Sequence, residues 1–248
     1  HALQAQLHRR MGKLQWGANY TWSRTTIYNF NQWVDTKLGK DVVNRPHAFN
    51  YNFGYDIPYA SMLRKNAFTK HALEGWRISG NGAVYSGTAF SVGCSAQAAP
   101  AGYWTGTPTG GIPFRCQMGN DIYLPAGQYP SPTEDPRLQY AFNAANFRLP
   151  PAESLGIGNT PPSLLYGPGL INLDFALSKE FAIAKEGRHN LEFKVEMFNA
   201  LNHFNPNNPA TGLNYNFNTG AQTNANFGVI QGAQVEARRM VLSVRYQF

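Results

Sequence analysis

Leu191-Glu192-Phe193-Lys194-Val195-Glu196-Met197 sets apolar side chains against charged ones without a break in the alternation. A helical period would mix the two kinds on every face, whereas a period of two separates them cleanly. The stretch is therefore a strand with one apolar and one charged face. Before it, Ile171, Leu173, Phe175 and Leu177 alternate with Asn172, Asp174 and Ser178. The charged turn Ala184-Lys185-Glu186-Gly187-Arg188 lies between the two runs, and together they read as a hairpin.

The same pattern recurs in both directions. Leu14, Trp16, Ala18, Tyr20 and Trp22 share one face of a strand, and Phe49, Tyr51, Phe53, Tyr55 and Ile57 share one face of the next, which Pro58 stops. Trp76, Ile78, Gly80, Gly82 and Val84 make a third face, whose glycines suit a curved wall. At the far end Met240, Leu242, Val244, Tyr246 and Phe248 oppose Arg239, Ser243, Arg245 and Gln247. With a further strand at 2–10 this gives about seven strands of roughly nine to eleven residues, the length that crosses a bilayer when tilted.

The connections settle the topology. Those at 10–13, 58–70 and 182–190 are short or moderate, while those near 25–45, 87–169 and 202–234 are long, in strict alternation. Short turns at one rim and long loops at the other mark a transmembrane β-barrel, with the long loops extracellular. A soluble sandwich gives no reason for such alternation, and a loop as long as 87–169 would count against it. A small hairpin around Ile122 to Leu124 fits within that loop. The expected fold is all-β: an antiparallel transmembrane β-barrel segment spanning 1–248, with more strands upstream because an open sheet cannot stand in hydrocarbon.

Composition agrees. Charged residues are 14% of the chain, against about a quarter in a soluble domain, and aromatic residues are also 14%. No run approaches the roughly 18 apolar residues of a spanning helix, and mean hydropathy is −0.39. Alternating strands average out in any such index. The net charge of +7 is scattered, the pairs Arg9-Arg10 and Arg238-Arg239 being its largest clusters, so nucleic acid is not an expected partner. The chain opens on His1 with no export signal, and is expected to be a piece or processed product whose signal and N-terminal domain lie upstream.

Trp16, Trp22, Tyr55, Trp76, Tyr246 and Phe248 fall near strand ends, where interfacial girdles prefer amphipathic rings. Asp174, Glu192, Lys194, Glu196, Arg239 and Arg245 fall on the polar faces, which would line a lumen. Cys94 and Cys116 lie in the longest loop, an oxidising site on this topology, and are expected to form a disulfide. No zinc spacing, Walker loop, nucleophile elbow or HExxH helix is present, so no catalytic, cofactor-binding or metal residue is assigned and no enzyme is expected. His47 and His203 read as structural hydrogen-bonding residues at strand borders. The Asn-rich stretch 199–226 carries Phe204, Tyr215 and Phe217, on which a sugar can stack, and it reads either as a ligand loop or as a solvated one.

Several segments resemble one family. Asn44-Arg45-Pro46-His47-Ala48-Phe49, Leu73-Glu74-Gly75-Trp76-Arg77-Ile78-Ser79-Gly80, Tyr166-Gly167-Pro168-Gly169, Glu196-Met197-Phe198-Asn199-Ala200-Leu201-Asn202-His203 and Val244-Arg245-Tyr246-Gln247-Phe248 resemble TonB-dependent outer-membrane receptors of the Oar-like type, which carry a carboxypeptidase-regulatory-like domain. The resemblance runs from about residue 14 to the end. It implies a 22-stranded barrel in the bacterial outer membrane, closed by an N-terminal plug that this stretch does not carry. TonB would act through the missing N-terminal part, and the ligand would be a small molecule or oligosaccharide. Tyr246 and Phe248 resemble the terminal signal read by the barrel-assembly machinery. The competing readings are a passive porin-like channel and a soluble β-rich extracellular adhesion or binding module.

Overall fold

The computed structural model describes residues 1–27, 39–40, 45–58, 72–97, 115–120, 143–151, 158–160, 165–183 and 189–248. Seven long strands form one antiparallel sheet: β1 (Ala2–Met11), β2 (Leu14–Ser23), β3 (His47–Asp56), β4 (Trp76–Tyr85), β5 (Leu170–Ala182), β6 (Asn190–Phe198) and β7 (Arg239–Gln247). Each pairs with its neighbours in sequence, so the sheet is an up-and-down meander. Ten residues at about 3.3 Å each, tilted by about 40°, span about 25 Å, the height of an outer-membrane apolar band.

Register keeps every apolar face on one side. Leu3, Trp22 and His47 stand in adjacent positions at one rim, where Leu3 opposes Trp22 and Trp22 opposes His47. Across the other half, Leu177 opposes Val195, which opposes Leu242. β5 pairs with β4 through Leu170–Lys179 and with β6 through Phe175–Ala182, so its neighbours are offset along it. That offset is the stagger that a tilted, closed wall requires. At the short-turn rim, β1 and β2 meet in a two-residue turn in which Met11 opposes Leu14 and Gly12 adopts φ +52°, a conformation that glycine takes without steric cost.

Gly80 and Gly82 have a packing reason. A Cβ on Gly80 would stand 2.8 Å from the ring of Phe53, and one on Gly82 would overlap the ring of Tyr51, the residue directly opposite. The rings of β3 lie flat over a groove that the glycines leave in β4.

The interior of the molecule is not in the wall. Among the described residues, every buried hydrophobic side chain belongs to the long connections, including Phe90, Val92, Phe147, Leu165, Leu213 and Phe227. Leu242 is 79% exposed, Phe248 92%, and Leu3 and Leu7 59% each. A water-soluble sheet would leave no such continuous apolar face uncovered. In a bilayer, acyl chains are its solvent.

The strand expected at 2–10 runs one residue further. The larger difference concerns the loops at 87–169 and 202–234, whose described parts pack together into one head over the outer rim. Ala89–Phe90 pairs with Leu165–Tyr166, Gln117–Met118 with Phe147–Arg148, and Gly93–Gln97 runs parallel to Gly212–Asn216. The last pairing joins the two loops directly, across the wall strands that separate them in sequence. Near 25–45, Thr26–Ile27 pairs with Gly39–Lys40. The charged turn at 184–188 and the hairpin around 122–124 lie outside the described residues.

Candidate functional site

Three surfaces carry the chemistry: the two faces of the wall and the junction between wall and head. On the apolar face, each rim holds a tyrosine stacked on a histidine. Tyr20 bonds His47 Nδ1 at 2.8 Å at the outer rim, and Tyr246 bonds His189 Nδ1 at 2.7 Å at the inner one. Both are amphipathic pairs at headgroup depth. Phe248 stacks on Tyr246 with ring centroids 6.0 Å apart, so the two terminal aromatics form one cluster with His189. Lys179 lies on the apolar face near the inner rim. Its ammonium sits over Phe181 at 4.8 Å and Trp76 at 5.4 Å and donates to the Glu74 carbonyl, leaving its stem along the apolar surface.

The opposite face is mainly polar. Asn52, Asn81 and Asp174 stand at one level across β3, β4 and β5, since Asn52 opposes Asn81 and Asn81 opposes Asp174. Asp174 also accepts from the Asn199 amide and the Asn172 side chain, each at 3.0 Å. Lys194 donates to Glu196 at 2.6 Å, Arg77 pairs with Asp56 at 3.1 Å, and Glu192 opposes Arg245. Arg239 lies over the Phe198 ring at 5.0 Å. These half-exposed pairs each contribute no more than about 1 kcal/mol, so they shape the lumen lining more than they hold the wall together.

The head is built on Cys94 and Cys116, disulfide-bonded with Cα atoms 5.7 Å apart, and on the buried cluster around them. Tyr215 belongs to this interior: it is 2% exposed and its hydroxyl donates to the Phe147 carbonyl at 2.6 Å. Burial pushes that hydroxyl up to about 12. The expectation that Tyr215 offers a stacking face to a ligand is therefore corrected, because the residue is core. Phe204 and Phe217 are half-buried at other points of the same head.

Three asparagines of the head, Asn159, Asn199 and Asn205, satisfy backbone groups. Asn205 accepts from the Ile171 amide at 2.7 Å and donates to the Ile171 carbonyl at 3.0 Å, standing in for a neighbouring strand. Asn159 does the same for Met118, at 2.6 and 3.0 Å. Asn199, at φ +48°, donates to the carbonyls of His203 and Glu236 and accepts from the His203 amide. His203 thus takes part through its backbone, and His47 through its ring.

Where head meets outer rim there is a cleft of about 470 Å³. Arg45, Thr88, Asn207, Asn208, Gln231 and Gln234 line it, over an apolar floor that includes Ala210 and Val229. The Arg45 guanidinium rests on the Tyr85 ring at 5.2 Å and donates to the Ser86 carbonyl at 3.3 Å. Tyr85 is on the polar face, where its hydroxyl bonds Asn50, so the cleft opens at the lumen side of the rim. The sequence reading missed this site. Asn207 and Asn208 lie within the Asn-rich stretch 199–226, but nothing in the sequence joins them to Arg45, Thr88, Gln231 and Gln234.

A search of curated proteins finds no match for the chain. A family model described as an outer membrane beta barrel domain matches residues 1–241, covering β1 to β6 whole and the start of β7. The family, the meander and the uncovered apolar band agree on a wall set in the bacterial outer membrane, and on a barrel function there rather than that of a soluble module. The chain belongs to the outer membrane beta barrel domain family.

Proposed function

We propose that the protein is the C-terminal barrel part of a TonB-dependent receptor of the Oar-like type, taking up its substrate actively and performing no catalysis. The observation that best supports this reading is the packed, disulfide-bonded head at the outer rim. A diffusion pore needs no such layer, whereas a receptor must hold a selective surface where substrate arrives. The family-like segments containing Arg45, Gly167 and Asn199 all enter the rim where the cleft forms, which is consistent with a shared receptor architecture. On this reading TonB acts through an N-terminal segment of the parent protein, and the barrel-assembly machinery reads Tyr246 and Phe248.

The test compares energised uptake with diffusion. In planar bilayers the intact parent protein is expected to stay closed, and in cells its substrate accumulation is expected to vanish when TonB is deleted. A steady open conductance, with accumulation indifferent to TonB, would establish the passive porin-like alternative instead.

A further inference from the structure

We infer that the Arg45 cleft binds a small organic carboxylate, an acid carried on a polar body rich in hydroxyl or amide groups. This deepens the receptor reading and rests on it.

The charge of the cleft is the first argument. Among the described residues Arg45 has no carboxylate partner, and none of the side chains lining the cleft is acidic. The guanidinium is nevertheless held in place, by the Tyr85 ring beneath it and the Ser86 carbonyl beside it. An arginine fixed by one N–H and one face keeps further N–H donors for an oxygen anion, and its planar fork suits a carboxylate. Among the described residues the cleft holds one cation and no lysine, which fits a singly charged carboxylate better than a phosphate, whose second charge calls for further cations.

The second argument is the rest of the lining. The amide nitrogens of Asn207, Asn208 and Gln234 are engaged, donating to the Gln231 carbonyl at 3.1 Å, Thr88 Oγ1 at 3.4 Å and the Pro206 carbonyl at 2.7 Å. Those bonds fix each amide plane, and among the described residues no donor bonds the three amide oxygens, which can accept from hydroxyl or amide hydrogens of a ligand. Among the described residues no aromatic ring lines the cleft, so recognition rests on hydrogen bonds and the charge rather than on ring stacking. The volume of about 470 Å³ lies within the range of small-ligand sites.

Two sources share this chemistry, the C-terminal end of a short peptide and a sugar acid. The test uses the intact receptor in detergent and measures calorimetric binding of matched pairs: acetyl-trialanine against its amide, and the methyl glycoside of galacturonate against neutral methyl galactoside. One acid is expected to bind at least about tenfold more tightly than its uncharged twin. That preference is expected to disappear in Arg45→Gln, and the pair that shows it identifies the source. Asn208→Asp, at the exposed rim, is expected to cut the preference for the acid over its twin by a similar factor. It decides the matter if Arg45→Gln does not fold, as judged by heat-modifiable migration. Equal binding of acid and twin, no acid binding below about 10 mM, or a preference untouched by Asn208→Asp would overturn the inference. Equilibrium binding needs no TonB, so loss of TonB-dependent uptake with binding intact refutes the receptor reading alone, and the converse refutes the carboxylate site alone.

Discussion

Leu242 and Val241 are adjacent in β7, at nearly the same depth, and both are exposed hydrophobics; only the faces differ. Leu242 follows Leu177 and Val195 across the apolar face, whereas Val241 stands opposite Glu196 on the polar one. Replacing Leu242 by arginine places a cation among acyl chains near mid-height, at a cost of about 2–4 kcal/mol. At about 1.4 kcal/mol per decade, that is a loss of roughly 30- to 700-fold in the folding constant. Val241→Arg gains an opposite charge across the strand and is expected within about 1 kcal/mol of the parent. Were the sheet in water, both changes would be surface substitutions worth no more than about 0.5 kcal/mol. Urea unfolding of the protein in phospholipid vesicles, followed by tryptophan emission and by heat-modifiable migration, measures the difference. Equal effects of the two arginines would refute the assignment of faces.

Other consequences follow from packing and the head. Gly82→Ala should cost about 1–3 kcal/mol by forcing the Tyr51 ring off β4, and Tyr51→Ala in the same chain should recover most of it; additive losses in urea midpoints would contradict that contact. Opening the disulfide should weaken the head by about 3 kcal/mol, from the 22-residue separation of Cys94 and Cys116, and leave the wall heat-modifiable. Limited proteolysis should then cut within the head first; cleavage unchanged by reductant would argue that the bond carries no load. The Tyr215 hydroxyl is raised from 10.0 to about 12 in the folded head, so its contribution is complete below the unfolded value and is lost as pH climbs from 10 towards 12. Protease resistance of the head should fall in that window, and Tyr215→Phe should flatten the fall while losing the bond to Phe147 at every pH. A fall of the same size in the variant would remove Tyr215 as its cause.

The wall was legible in the sequence because a period of two is a local property. Leu191 to Met197 displays both faces of β6 without reference to any other strand, and the lengths of the connections fix the direction of each hairpin. The head was not legible, since its core joins Phe90 and Val92 from one long loop to Leu213 and Phe227 from another. No local period records such a pairing. Tyr215 illustrates the difficulty: aromatic residues among asparagines look alike whether they stack on a ligand or fill a core, and only the partner strand Gly93–Gln97 distinguishes the two. Arg45 was visible within a family-like segment, but its significance depends on Asn208 and Gln234, which reach it only through the fold.

The assignment of one face to lipid and the other to the lumen is tested most directly by placing a spin label at each position from Leu191 to Met197 in turn, in the protein reconstituted in vesicles. Relaxation by oxygen, which partitions into acyl chains, is compared with relaxation by a water-soluble nickel chelate. Oxygen should dominate at Leu191, Phe193, Val195 and Met197, and the nickel chelate at Glu192, Lys194 and Glu196. Uniform access of the nickel chelate to all seven positions would mean that β6 stands in water and that the wall is no membrane wall.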